Sequence, residues 1–182
     1  DKFVKRIFVP KTGNTMSKIE TFEQLLVSEI ADLISAEEQL IEALPKMEEA
    51  ASAKELKTAL QSHLKETENQ LVRLEKIAVE LKMAAKDKKV CKAMKGLVAE
   101  GQEAVKEIPA GPVRDAAIIG AAQRVEHYEI AGYGTARAFA QGLKLKSIVD
   151  LLNETIVEEG NADKKLTKIA EGVVNPEALA VK

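Results

Sequence analysis

Seven residues, Glu37, His63, Glu66, Glu126, Glu129, Glu159 and Asp163, have the types and spacing that could hold metal. Each sits in or beside the apolar seam of a long amphipathic segment, where an unpaired charge would cost several kcal/mol. Glu37 fills the missing step between Leu33 and Leu40. His63 follows Leu60 by three residues and Glu66 follows His63 by three, so the two share one side of a helix. Glu129 fills the gap between Val125 and Gly132, with Glu126 one turn earlier. Glu159 fills the gap between Thr155 and Ala162, with Asp163 a turn later and Glu158 beside it. Any one of these alone reads as an ordinary solvated charge. Their recurrence on four segments reads as an acidic layer, and oxygen donors with one imidazole suit two iron or manganese ions. The ions would neutralise a cluster of like charges that could not otherwise stay ionised.

The segments that must position these residues are helical. Apolar residues recur at steps of three and four along about residues 19–51, 52–84, 113–141 and 144–173, and over a shorter stretch at 89–107. Thr21, with Gln24 three residues on, forms a candidate capping box, and Pro45 is expected to kink or interrupt the first helix. Four helices of roughly 30 residues, each about 45 Å long, form a bundle if the stretch from about residue 85 to 112 acts as a crossover. Of the 182 residues, 46% are hydrophobic but only 3% aromatic, a composition that favours an all-α protein and argues against a sandwich or barrel. The domain reading is a 1–18 extension, a 19–172 bundle and a 173–182 tail.

Charge and cysteine content narrow the partners. Twenty-seven basic and 29 acidic residues leave a net charge of -2, so no global field attracts nucleic acid or an anionic membrane. The one basic patch, Lys82, Lys86, Lys88, Lys89, Lys92 and Lys95, reads as a solvated helix tip. Cys91, the single cysteine, makes no internal disulfide and favours the cytoplasm. It would be activated by those lysines if exposed, but an inert helix cysteine is the expectation. His127 points away from Glu129 and is assigned to a surface or interface, and Tyr128 and Tyr133 to packing. No stretch reaches the roughly 18 to 20 apolar residues needed to span a bilayer.

The segments SAEEQL (35–40), HLKETENQ (63–70), VEHYEIAGYG (125–134) and ETIVEEGNAD (154–163) resemble the YciE/YciF family of ferritin-like bacterial stress proteins. The resemblance covers about residues 19–172. It implies a ferritin-like four-helix bundle with a short extra helix in the crossover between the second and third long helices. A homodimer and kinship with rubrerythrin and other di-iron proteins are also implied. In rubrerythrin-like patterns a Glu on the first helix, Glu-x-x-His on the second, Glu-x-x-Glu on the third and Glu-x-x-His on the fourth bind the metals. Glu37 matches the first, and Glu126 with Glu129 the third. The second helix departs, reading His63-x-x-Glu66 with Asn69 where a His is usual. The fourth departs with Glu159 followed by Ala162 and Asp163, leaving its ligands open among Glu158, Glu159 and Asp163. A di-metal stress protein that reduces oxygen or peroxide, or oxidises Fe(II), is the expected function. The alternative is a non-enzymatic structural or interaction protein with a vestigial acidic core. Outer apolar residues such as Phe139 and Val149 add a weak argument for the homodimer.

Overall fold

A computed structural model describes residues 18–181. The expected 1–18 extension therefore falls almost wholly outside the described residues. The described chain is all-α: α1 (Phe22–Ala50), α2 (Lys54–Glu80), α3 (Lys92–Glu107), α4 (Pro112–Gly142), α5 (Lys146–Ile169) and α6 (Asn175–Leu179). A single 3-10 turn at Ala85–Asp87 and a π turn at Ala170–Val174 complete it. Helix α1 packs on α2 and α4, and α5 packs on α4 and α2, which closes a ring of four long helices; α3 lies across α1 and α4.

Local chemistry sets the helix ends. Thr21 Oγ1 accepts from the Gln24 amide at 3.2 Å, and the Gln24 side chain accepts from the Thr21 amide, so the expected capping box forms. Helix α1 runs on through Pro45 without interruption. Pro45 lies on the exposed side of α1, where water can take up the carbonyl that proline leaves without an amide donor. Helix α4 starts at Pro112 behind Gly111, whose φ of 138° only glycine adopts freely. The chain also stays helical beyond Val173, where the sequence suggested a tail. The π turn accommodates one extra residue and buries Val174, and Pro176 falls in the first turn of α6, where a missing amide costs nothing.

No side chain of its own caps α2. Asp115, on α4 and 1% exposed, does so instead, its two oxygens accepting from the Ser52 amide at 2.8 Å and the Ala53 amide at 2.7 Å. A carboxylate there meets the positive end of the α2 dipole and ties the first hairpin to α4. Asp115→Ala is expected to cost about 2–4 kcal/mol, because two partly buried amides lose a charged partner together. Chemical denaturation of variant and wild type checks this, and a difference below about 0.5 kcal/mol would refute it.

The core is in two parts. One apolar cluster gathers Leu40, Leu44, Leu56, Leu60, Met94, Ile118, Ile119 and Leu166; the other gathers Leu26, Ile30, Leu33, Leu74, Ile77, Tyr133, Ile148 and Leu152. Along each long helix the boundary between them is polar. It falls at Glu37 on α1, at His63, Thr67 and Gln70 on α2, at Glu126 and Glu129 on α4, and at Thr155 and Glu159 on α5, all of them buried. Phe139, expected to face outward, packs edge-on against Phe22 with ring centroids 5.0 Å apart, and Val149 packs against the second cluster.

Candidate metal centre

The polar layer concentrates charge. One ligating atom from each of His63, Glu126, Glu129 and Glu159 lies within 4.8 Å of the others. His63 Nε2 stands 3.2 Å from Glu126 Oε1 and 3.9 Å from Glu159 Oε2. Glu37 joins from α1, accepting a hydrogen bond from the Tyr133 hydroxyl. Several atoms of the layer are buried with no hydrogen-bond partner: Glu37 Oε2, both His63 nitrogens, Glu126 Oε2, both Glu129 oxygens and Glu159 Oε2.

The remaining candidates sit at the margin. Glu66 is partly exposed, with Oε2 3.6 Å from His63 Nδ1, and this contact holds its carboxyl below the usual range. Asp163 accepts from Gln123 Nε2 at 2.9 Å and lies 3.4 Å from Nε2 of His127, whose ring is exposed as expected. Glu158 is engaged by Arg73, whose two terminal nitrogens each donate to it at 2.6 Å. Of the three acidic residues left open on the last long helix, Glu159 is the one turned into the cluster.

The sequence reading missed the residues that hold these carboxylates. Gln70, completely buried, donates through Nε2 to Glu158 at 3.1 Å and to Glu159. Tyr133, assigned to packing, fixes Glu37; its position four residues after Glu129, on the same helix face, was the available signal. Tyr128 likewise bonds as well as packs, donating to Asp32 Oδ2 at 2.5 Å with Cys91 Sγ 2.9 Å from its hydroxyl. Cys91 caps α3 through its sulfur and is 1% exposed. Burial, and then Asp32, push its thiol up, so the neighbouring lysines do not activate it.

Proton affinities follow from the burial. Desolvation raises the Glu37 carboxyl to about 8, against the pull of the Tyr133 hydroxyl. Burial, then contact with Glu159 and its charge, hold Glu126 well above the usual carboxylate range. Burial, then the charges of Glu37, Glu159 and Glu126, do the same for Glu129. The cluster can therefore be neutralised by protons, or by cations that the unpartnered atoms would ligate.

A match to the family described as a domain of unknown function, DUF892, spans residues 21–179. The chain belongs to the DUF892 family. Protein YciF of Escherichia coli (strain K12) is 42% identical over 161 residues, which cover 88% of this DUF892 chain and 96% of YciF. The crystal structure of the E. coli stress protein YciF matches with a TM-score of 0.82 at 39% identity, covering 86% of this chain and 99% of that one. YcfI from Rhodopseudomonas palustris, for which a structural role has been suggested, matches with a TM-score of 0.81 at 41% identity and the same coverage. These relatives share the all-helical architecture, so the DUF892 fold supplies the frame on which the buried cluster is built. Among the described residues, no helix is long and apolar enough to cross a membrane.

Proposed function

We propose that this chain is a ferritin-like stress-response protein whose buried layer holds two iron or manganese ions. The observation that carries the reading is the set of unpartnered, buried carboxylate and imidazole atoms converging from α1, α2, α4 and α5. Leaving such groups unsatisfied costs about 1–3 kcal/mol each, more when charged, and cations remove that cost. Glu37, His63, Glu126, Glu129 and Glu159 would supply the ligands, with Glu66 at the edge beside His63 and Asp163 a further candidate one turn beyond Glu159. Such ions, when bound, would supply the electrons for reducing oxygen or peroxide, or would themselves be Fe(II) to be oxidised.

The chain's own residues prepare the site. Tyr133 holds Glu37, Gln70 holds Glu159, and Arg73 draws Glu158 outward. The two apolar clusters above and below keep bulk water out, which strengthens every charge interaction in the layer.

The competing reading is a structural or interaction protein in which protons alone neutralise a vestigial acidic core. The high proton affinity of Glu37 favours it, as does the role suggested for YcfI. Metal analysis of protein purified without chelator separates the two. In a chelator competition, His63→Gln is expected to weaken iron or manganese binding about tenfold or more while the protein stays folded. Unchanged affinity would remove His63 from the ligand set.

A homodimer fits the family resemblance. With Phe139 and Val149 packed within the chain, exposed Val72 and Val79 on α2 and Val157 on α5 are among the apolar residues available to carry it. Light scattering at micromolar concentration is expected to give twice the chain mass, and a monomeric mass would refute the dimer. A single cysteine, unable to form an internal disulfide, supports a reducing compartment, the cytoplasm.

A further inference from the structure

We infer that a cavity beside the cluster is an open ligand position that takes a small neutral nitrogen or oxygen base, and that Ala162 keeps it open. This rests on the metal reading above. The cavity, about 80 Å³, lies among α2, α4 and α5 against His63 and Glu126. Both side chains are more than nine-tenths buried, and both carry atoms without partners. A single water needs only about 10–15 Å³ of such space, so several heavy atoms fit.

Ala162 lies three residues after Glu159, close to the same side of α5, and lines this cavity. A longer side chain there would fill the space, whereas the methyl group leaves it empty beside His63 and Glu126. The walls formed by Leu60 and Leu166 are apolar, so a charged guest would have to shed its hydration. At the mouth, the Lys165 ammonium is opposed by the Glu66 carboxylate, and the opening favours neither sign of charge. Inside, the four carboxyl groups of Glu37, Glu126, Glu129 and Glu159 would offset the charge of two divalent cations once those ions displaced the protons. An added anion would bring surplus negative charge into an apolar-walled site already balanced, so a neutral base with a lone pair is the guest that fits best.

Full-length protein loaded with Co(II) tests this through its visible absorption, with retained cobalt followed by equilibrium dialysis. Imidazole at pH 8 is expected to change the cobalt spectrum saturably, and azide at the same concentration to change it far less. Ala162→Leu should abolish the imidazole response while leaving cobalt affinity within about twofold. Ala162→His should reproduce the imidazole-bound spectrum unaided and tighten cobalt binding about tenfold or more, since a tethered donor acts at high effective concentration. A wild-type protein that binds cobalt but ignores imidazole overturns the inference and leaves the metal reading standing. So does an imidazole response that survives in Ala162→Leu, or one matched by azide. Wild-type protein that retains no cobalt overturns both the metal reading and this ligand position.

Discussion

Metal-free protein is expected to become less stable as the pH rises from about 5 to about 8, and added manganese or ferrous iron to reverse that slope. Glu37 binds its proton up to about pH 8 in the folded chain, and Glu126 and Glu129 also hold theirs well above the usual carboxylate range. In the unfolded chain the same carboxyls release protons near 4.5. Between these limits the folded state carries more protons, so raising the pH favours unfolding. The loss begins above the unfolded value and is complete for Glu37 once the pH passes about 8. For several coupled groups it is on the order of several kcal/mol. Cation binding has the opposite dependence, because ligands must be deprotonated to bind. Thermal melts at a series of pH values, with and without metal, check both slopes. A metal-free melting temperature that stays flat or rises over this range would show that the layer is hydrated or paired in solution.

The second large effect belongs to Glu129, which is completely buried with both oxygens unpartnered. Glu129→Gln keeps the shape but removes the charge, so its effect should change sign with metal. At pH 8 without metal, the variant is expected to be more stable by about 1–3 kcal/mol, since folding no longer has to protonate, or bury the charge of, this carboxyl. With metal, its affinity should fall about a hundredfold or more, and the stabilisation that wild type gains from metal should shrink accordingly. Measuring bound metal and melting temperature on the same preparations decides it. Equal metal content in variant and wild type would remove Glu129 from the ligand set.

Helix α1 was fully legible in the sequence: Leu26, Ile30, Leu33, Leu40 and Leu44 are all buried, and Glu37 occupies the gap among them. Helix α2 was legible at Leu56, Leu60, His63 and Leu74 but not between the last two. Beyond His63, Leu64 and Leu71 suggest one stripe, but the buried line runs through Thr67 and Gln70 to Leu74 and Ile77. Polar residues can lie there because Thr67 donates to its own helix at the His63 carbonyl, and Gln70 donates to Glu159, 89 residues away. No local pattern encodes that second partner. The same cause hid Asp115, whose role depends on amides at the start of α2 that lie 62 and 63 residues distant. Past Glu129, the buried face of α4 turns to Tyr133, Ala136 and Ala140 rather than to Gly132. Gly132 instead admits Leu33, which would come within 3.0 Å of any Cβ placed there.

The division of the core into two apolar clusters bears on how the chain comes apart. Side chains on either side of the layer meet through carboxylates rather than through interlocking hydrocarbon, so cooperativity between the ends of the molecule must pass through those charges. Without cations, the Leu74 and Ile148 end can open while the Leu56 and Ile118 end stays closed, giving amide protons of one end a lower protection against exchange. Cations bridging α1, α2, α4 and α5 would couple the two ends, so that neither exchanges without the other. Metal loading would then act as a clutch, turning two separately melting halves into a single unit that unfolds all at once.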